Sequence, residues 1–171
     1  ERARLLDFGI ATPLDSQTGE AAVTRTVPML TPEYASPEQV RGIPVTTASD
    51  VYQLGLLLFE LLTGERARHV GGRSAAQLEQ VVLEQSVPRP SIVACAGDAA
   101  ATRAEARQTT PPALARMLRG DLEAIVLQAL RKEPERRYAS VADFIDDLQR
   151  RLAGRPIHAR PYSWHYRTGR F

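Results

Sequence analysis

Between Val51 and Leu62 almost every position is apolar. Val51, Leu54, Leu57, Leu58, Leu61 and Leu62 fall on one side of a helix, and Leu56 and Phe59 cover much of the other. A helix that is apolar nearly all round belongs at the centre of a domain. Ser49-Asp50 opens it, and Gly64, just past Thr63, stops it. Two further amphipathic stretches come late in the chain. Asp121 begins one, with Leu122, Ile125, Val126, Ala129 and Leu130 on a stripe that Pro134 ends. Ser140 caps a last helix bearing Val141, Phe144, Ile145, Leu148 and Leu152, closed by Gly154. Ser74 with Gln77 forms a capping box and predicts a helix over 75–85. Ser36-Pro37-Glu38-Gln39 reads as an N-cap followed by proline at the first helical position, opening a short helix that ends at Gly42.

The segments without periodicity are also informative. Residues 1–9 read as the end of a strand, Arg4-Leu5-Leu6, running into a turn at Asp7-Phe8-Gly9. Residues 10–35 hold Thr12, Thr18, Thr24, Thr26 and Thr31 with Pro28 and Pro32, and show no repeat of apolar positions. A structureless stretch of this length inside a domain is either functional or disordered. Residues 86–112 are rich in Pro, Ala and Thr and read as a variable loop.

Composition bounds the function. The chain has 171 residues, 43% hydrophobic and 25% charged, which suits one globular domain or a large piece of one. The single cysteine, Cys95, excludes a disulfide framework and a multi-cysteine zinc site. His69, His158 and His165 show no metal-ligand spacing. No apolar run is long enough to cross a bilayer. The net charge of +2 is too small to argue for a nucleic-acid partner. Its distribution is uneven: from Arg150 to Phe171 there are six arginines and no Asp or Glu. The first residue is Glu1 and no signal peptide follows, so the chain is expected to begin inside a longer protein.

Asp7-Phe8-Gly9, the threonine-rich stretch, Ser36-Pro37-Glu38 and Ser49-Asp50-Val51-Tyr52-x-Leu54-Gly55 occur in that order. Together with Lys132-Glu133-Pro134-Glu135-Arg136-Arg137-Tyr138, they resemble the bacterial eukaryotic-like (Hanks-type) Ser/Thr protein kinases, from the DFG motif onward. The resemblance covers nearly all of residues 1–155 and is weakest over 86–112. It implies a mainly α fold: the helical C-terminal lobe of the α+β kinase fold, without its N-terminal lobe and catalytic loop. The implied organisation is a partial kinase domain over 1–154 (activation segment 7–38, helical lobe 36–154) and a basic tail over 155–171.

The resemblance also implies roles for single residues. Asp7 supplies a carboxylate to the Mg²⁺ that bridges the ATP phosphates, and hard oxygen ligands suit that ion. Phe8 packs to set where Asp7 points, and Gly9 makes the turn. Thr24 and Thr26 stand where relatives carry activating phosphothreonines, whose added charge can order a loop through arginines such as Arg25 or Arg41. Thr31 stands beside the substrate hydroxyl, although Leu30 replaces the usual glycine before it. Glu38 and Arg137 are candidates for a buried ion pair that ties the end of the segment to the late helices. Asp50 braces the catalytic loop from below.

The Gly-rich loop, the strand lysine and His-Arg-Asp-x-x-x-x-Asn do not occur in residues 1–171. The chain alone is therefore expected to transfer no phosphate, while the full-length protein uses ATP and Mg²⁺ on protein Ser and Thr. A homodimer for loop autophosphorylation is a possible partner arrangement. The alternative is a non-catalytic, kinase-derived binding module that holds partners on its substrate-facing surface and the 75–85 helix. A third reading rests on the tail, where Tyr162, Trp164 and Tyr166 lie among arginines and suit a membrane interface on the cytoplasmic side. The cytoplasm, or the cytoplasmic face of the inner membrane, is the expected location. Exposed apolar surface around Leu5, Leu6 and Phe8 is expected to make the isolated chain self-associate.

Overall fold

In the computed structural model, residues 32–69 and 74–160 are described; they fold into eight α-helices and two short 3-10 turns, with no β-strand among them. The first α-helix, α1 (Pro37–Arg41), starts from a capping box in which Ser36 Oγ accepts from the Gln39 amide and Gln39 Oε1 accepts from the Ser36 amide. Gly42, at φ 67°, ends it in the left-handed conformation that favours glycine.

The long helix α2 (Thr47–Thr63) begins two residues before the expected Ser49-Asp50 start. Thr46 is the N-cap, and Ser49 is its partner three residues on, so the serine lies inside the helix as the second half of a capping box. The buried face of α2 also differs from the expected stripe. Val51, Tyr52, Leu56 and Phe59 are buried, while Leu54, Leu57 and Leu61 are exposed, the last at 66%. Gly55 explains part of this choice. A Cβ at that position would lie 2.9 Å from the Ala129 Cβ, so only glycine lets α2 approach α7 (Asp121–Ala129) this closely.

The core is built around α2. On one side Val51 packs with Ile125, Ala129, Tyr138, Phe144 and Ile157, joining α7 and α8 (Val141–Leu152). On the other, Tyr52, Leu56 and Phe59 pack with Val126 and Leu130. The helix α3 (Ala75–Glu84) keeps the Ser74/Gln77 capping box and buries Val81 and Val82 near its end.

Residues 86–112 are not a loop. They form α4 (Pro90–Val93) and α5 (Ala100–Glu105), and α6 (Pro111–Leu118) begins inside the same stretch. Proline stands at the start of α4 and α6, where its missing N–H costs nothing, so residues read as breakers act as starters. Ala94, Ala104, Leu114 and Leu118 give these helices their own small core. Arg103 ties them to the end of α2 through Glu65 Oε1 at 2.6 Å, and Arg107 donates to the Leu61 carbonyl at 2.8 Å.

The chain stays packed beyond Gly154. Ile157 is buried in the core, and the buried Asp147 accepts from the His158 amide at 2.6 Å, the Ala159 amide at 2.8 Å and the Tyr138 hydroxyl at 2.9 Å. Residues 155–160 thus lie against the lobe as its last layer.

Candidate functional site

The best-defined polar site lies where α1, the start of α2 and the turn before α8 meet. The short 3-10 turn Pro134–Arg136 delivers Arg137 into the interior, and α1 presents Glu38 to it. The contact is bidentate: Nη1 to Oε1 at 2.7 Å and Nη2 to Oε2 at 2.8 Å. Arg137 also donates from Nε to the Arg131 carbonyl at 2.7 Å, from Nη1 to Ala48 at 2.7 Å and from Nη2 to Lys132 at 3.1 Å. These contacts use all five guanidinium N–H groups. Ser49 Oγ donates to Glu38 Oε1 at 2.6 Å, and the Tyr52 ring lies 4.7 Å from the guanidinium carbon. Burial pushes the Glu38 carboxyl up, but the hydrogen bonds from Arg137 and Ser49 outweigh it and take the group down to about 2.

Beside this clamp the 3-10 turn Pro32–Tyr34 faces the end of α2. Tyr34 donates its hydroxyl proton to Glu60 Oε2 at 2.5 Å. The Glu60 contact, then burial, raises the Tyr34 phenol above its ordinary range. Arg66 lies 3.1 Å from Glu33 and 3.9 Å from Glu60. A second arginine in the same connection, Arg68, is buried. It donates from Nη2 to the Tyr52 hydroxyl, while its Nε and Nη1 are buried without an acceptor. Burial alone takes its guanidinium down to about 10.

The structure brings Glu38 and Arg137 together and leaves Asp50 exposed on the first turn of α2. Arg41 is exposed at the end of α1. Asp7, Phe8, Gly9, Thr24, Thr26 and Thr31 lie outside the described residues, as do Leu5, Leu6, Arg25, Tyr162, Trp164 and Tyr166. Sequence reasoning missed Ser49 as a partner of Glu38, though the Thr46-x-x-Ser49 spacing signals its place in the helix. It also missed Arg68, which carries no sequence signal because it sits in a polar, arginine-rich connection.

The acidic groups of the described residues do not offer a Mg²⁺ site. Asp146, Asp147 and His158 lie together, but the Asp147 oxygens are taken by Tyr138 and two backbone amides, and a histidine nitrogen is a poor ligand for this ion. Asp7, the Mg²⁺ ligand that the resemblance implies, lies outside the described residues.

Helices packed round a central apolar helix, with a carboxylate on α1 locked to an arginine 99 residues further on, are the arrangement that the kinase resemblance implied for the helical lobe. A family model described as protein kinase domain matches residues 1–147, and the chain belongs to that family. The serine/threonine-protein kinase PknB of Mycobacterium leprae is 35% identical over 157 residues, covering 91% of this chain and 21% of the relative. PknB of Mycolicibacterium smegmatis is 40% identical over 148 residues, covering 86% of this chain and 20% of the relative. Pkn1 of Myxococcus xanthus is 34% identical over 150 residues, covering 88% and 18%. The chain spans about a fifth of the length of these relatives. No helix among the described residues is long and apolar enough to cross a membrane.

Proposed function

We propose that this chain is the activation segment and helical lobe of a Ser/Thr protein kinase. Its parent protein transfers the terminal phosphoryl of ATP to protein Ser or Thr hydroxyls. The hydroxyl oxygen bonds to the phosphorus as the bond to ADP breaks, and the hydroxyl proton passes to a base in the His-Arg-Asp loop, which residues 1–171 do not contain. The observation that carries this reading is the buried Glu38–Arg137 clamp, whose carboxylate follows Thr24, Thr26 and Thr31 in the sequence. It supplies a rigid floor, and transfer by positioning depends on rigid floors.

On this reading Asp7 ligates Mg²⁺, which when bound neutralises phosphate charge. Thr31 supports the acceptor hydroxyl, and phosphorylation of Thr24 and Thr26 orders the segment, supplied in trans by a second copy. Protein Ser/Thr residues are the substrates. Membrane attachment, where present, comes from sequence beyond Phe171. The 1–171 chain alone transfers nothing.

The test is transfer of labelled γ-phosphate to a generic Ser/Thr protein by three samples. These are the kinase domain extended to include its Gly-rich and His-Arg-Asp loops, its Asp7→Asn variant, and residues 1–171. Activity in the first sample only is the expected result. An inactive extended domain would instead favour the non-catalytic binding module.

A further inference from the structure

We propose that Arg66 is a specificity-determining residue, an internal plug that keeps arginine and lysine of a substrate away from Glu33 and Glu60. The inference rests on the kinase reading, through the place of Thr31 beside the acceptor hydroxyl.

Glu33 follows Thr31 by two residues, so their Cα atoms are at most about 7.6 Å apart. A substrate laid against Thr31 therefore passes within side-chain reach of Glu33. Glu60 is brought to the same place by Tyr34, which holds its Oε2 and leaves Oε1 turned toward Arg66. Two carboxylates thus converge on one guanidinium, and Arg66 is that guanidinium. Its charge offsets one of the two, and it occupies the position that a substrate cation would take.

Arg66 is fitted for this role and not for holding the fold. Its side chain is 48% exposed, and its ion pairs are with the two half-buried carboxylates. The connection that carries it is fixed by other residues. Thr63 Oγ1 caps the end of α2 and accepts from the Glu65 amide, Glu65 binds Arg103, and Arg68 binds Tyr52. Removing the Arg66 side chain leaves these contacts in place. It also leaves Glu33 and Glu60, which both lie within ion-pair distance of the Arg66 guanidinium, with no neutralising partner.

The wild-type kinase is then expected to show no preference for basic residues beside the acceptor, and Arg66→Gln to create one. The experiment uses the extended kinase domain and a peptide series with one acceptor, in which Arg, Gln or Glu is placed at one flanking position at a time. In Arg66→Gln, KM for one Arg-flanked peptide should fall roughly two- to fivefold, the range a partly exposed ion pair supports. The kcat on the Gln-flanked peptide should stay as in wild type. Adding Glu33→Gln should remove the gain. Equal KM for all peptides in Arg66→Gln, or a gain that survives Glu33→Gln, overturns the proposal. An inactive wild type defeats the kinase reading instead. Fluorescence anisotropy with the same labelled peptides then decides the plug separately: tighter binding of the Arg-flanked peptide by Arg66→Gln supports it, and unchanged binding refutes it.

Discussion

Arg137 and Arg68 approach the same Tyr52 ring, at 4.7 and 5.3 Å, and both are buried. Arg137 has an acceptor for every N–H and a carboxylate of its own. Arg68 has the Tyr52 hydroxyl for Nη2 and no acceptor for Nε or Nη1. One ring therefore separates a charge whose burial is fully compensated from a charge whose burial is not. The first belongs to the segment anchor, where a fixed geometry is worth its desolvation. The second belongs to the α2–α3 connection, where the contact with Tyr52 compensates only part of the burial and Nε and Nη1 have no acceptor.

This contrast predicts opposite responses to mutation. The largest effect is expected at the clamp. Glu38→Ala leaves Arg137 charged and unpaired in the interior and should lower unfolding stability by about 3–5 kcal/mol. A change under about 1 kcal/mol in urea unfolding would place the charge in water and break the comparison. Next comes Arg68→Met, which keeps the packing volume and removes the orphan N–H groups. It should raise stability by about 1–3 kcal/mol, and a loss of stability would show that Arg68 has a partner worth more than its burial costs.

The pH dependence sharpens the same point. Glu38 is held at about 2 in the fold against an ordinary 4.5, so its contribution is complete above about 4.5 and is lost as pH falls toward 2. Acid unfolding followed by circular dichroism should show this limb in wild type and a flatter one in Glu38→Gln. Arg68 has the same sign of pH dependence in a different window. Its folded value is about 10, below the ordinary 12.5, so stability should rise with pH only above about 10. The smallest expected effect concerns the exposed face of α2. Leu57→Glu with Leu61→Glu should leave the melting temperature within a few degrees and lower any self-association seen by light scattering. An unchanged mass would move the sticky surface elsewhere.

Capping chemistry was the most legible part of the fold. Ser36/Gln39 and Ser74/Gln77 are local devices, and the helices they start lie where the spacing puts them. The orientation of α2 was not legible, because a helix that is apolar on both sides carries no face preference. The choice is made by Gly55, which lets Ala129 close in, and by the aromatic pair Tyr52 and Phe59. The short helices α4 to α6 were missed for a related reason. Their stability comes from Arg103, Arg107 and a shared alanine–leucine core, all tertiary, while their composition is that of a loop. The Glu38–Arg137 partnership bridges 99 residues. No local pattern encodes it, and only the family resemblance pointed to it.

The most direct measurement is a double-mutant cycle between Glu38 and Arg137, with Glu38→Gln, Arg137→Met and the pair, read by urea unfolding of the chain and by phosphate transfer in the extended kinase domain. The account predicts a coupling of at least about 1.5 kcal/mol in stability and loss of transfer in both single variants with partial recovery in the pair. Single effects that simply add, to within about 0.5 kcal/mol, with transfer unaffected, would contradict it.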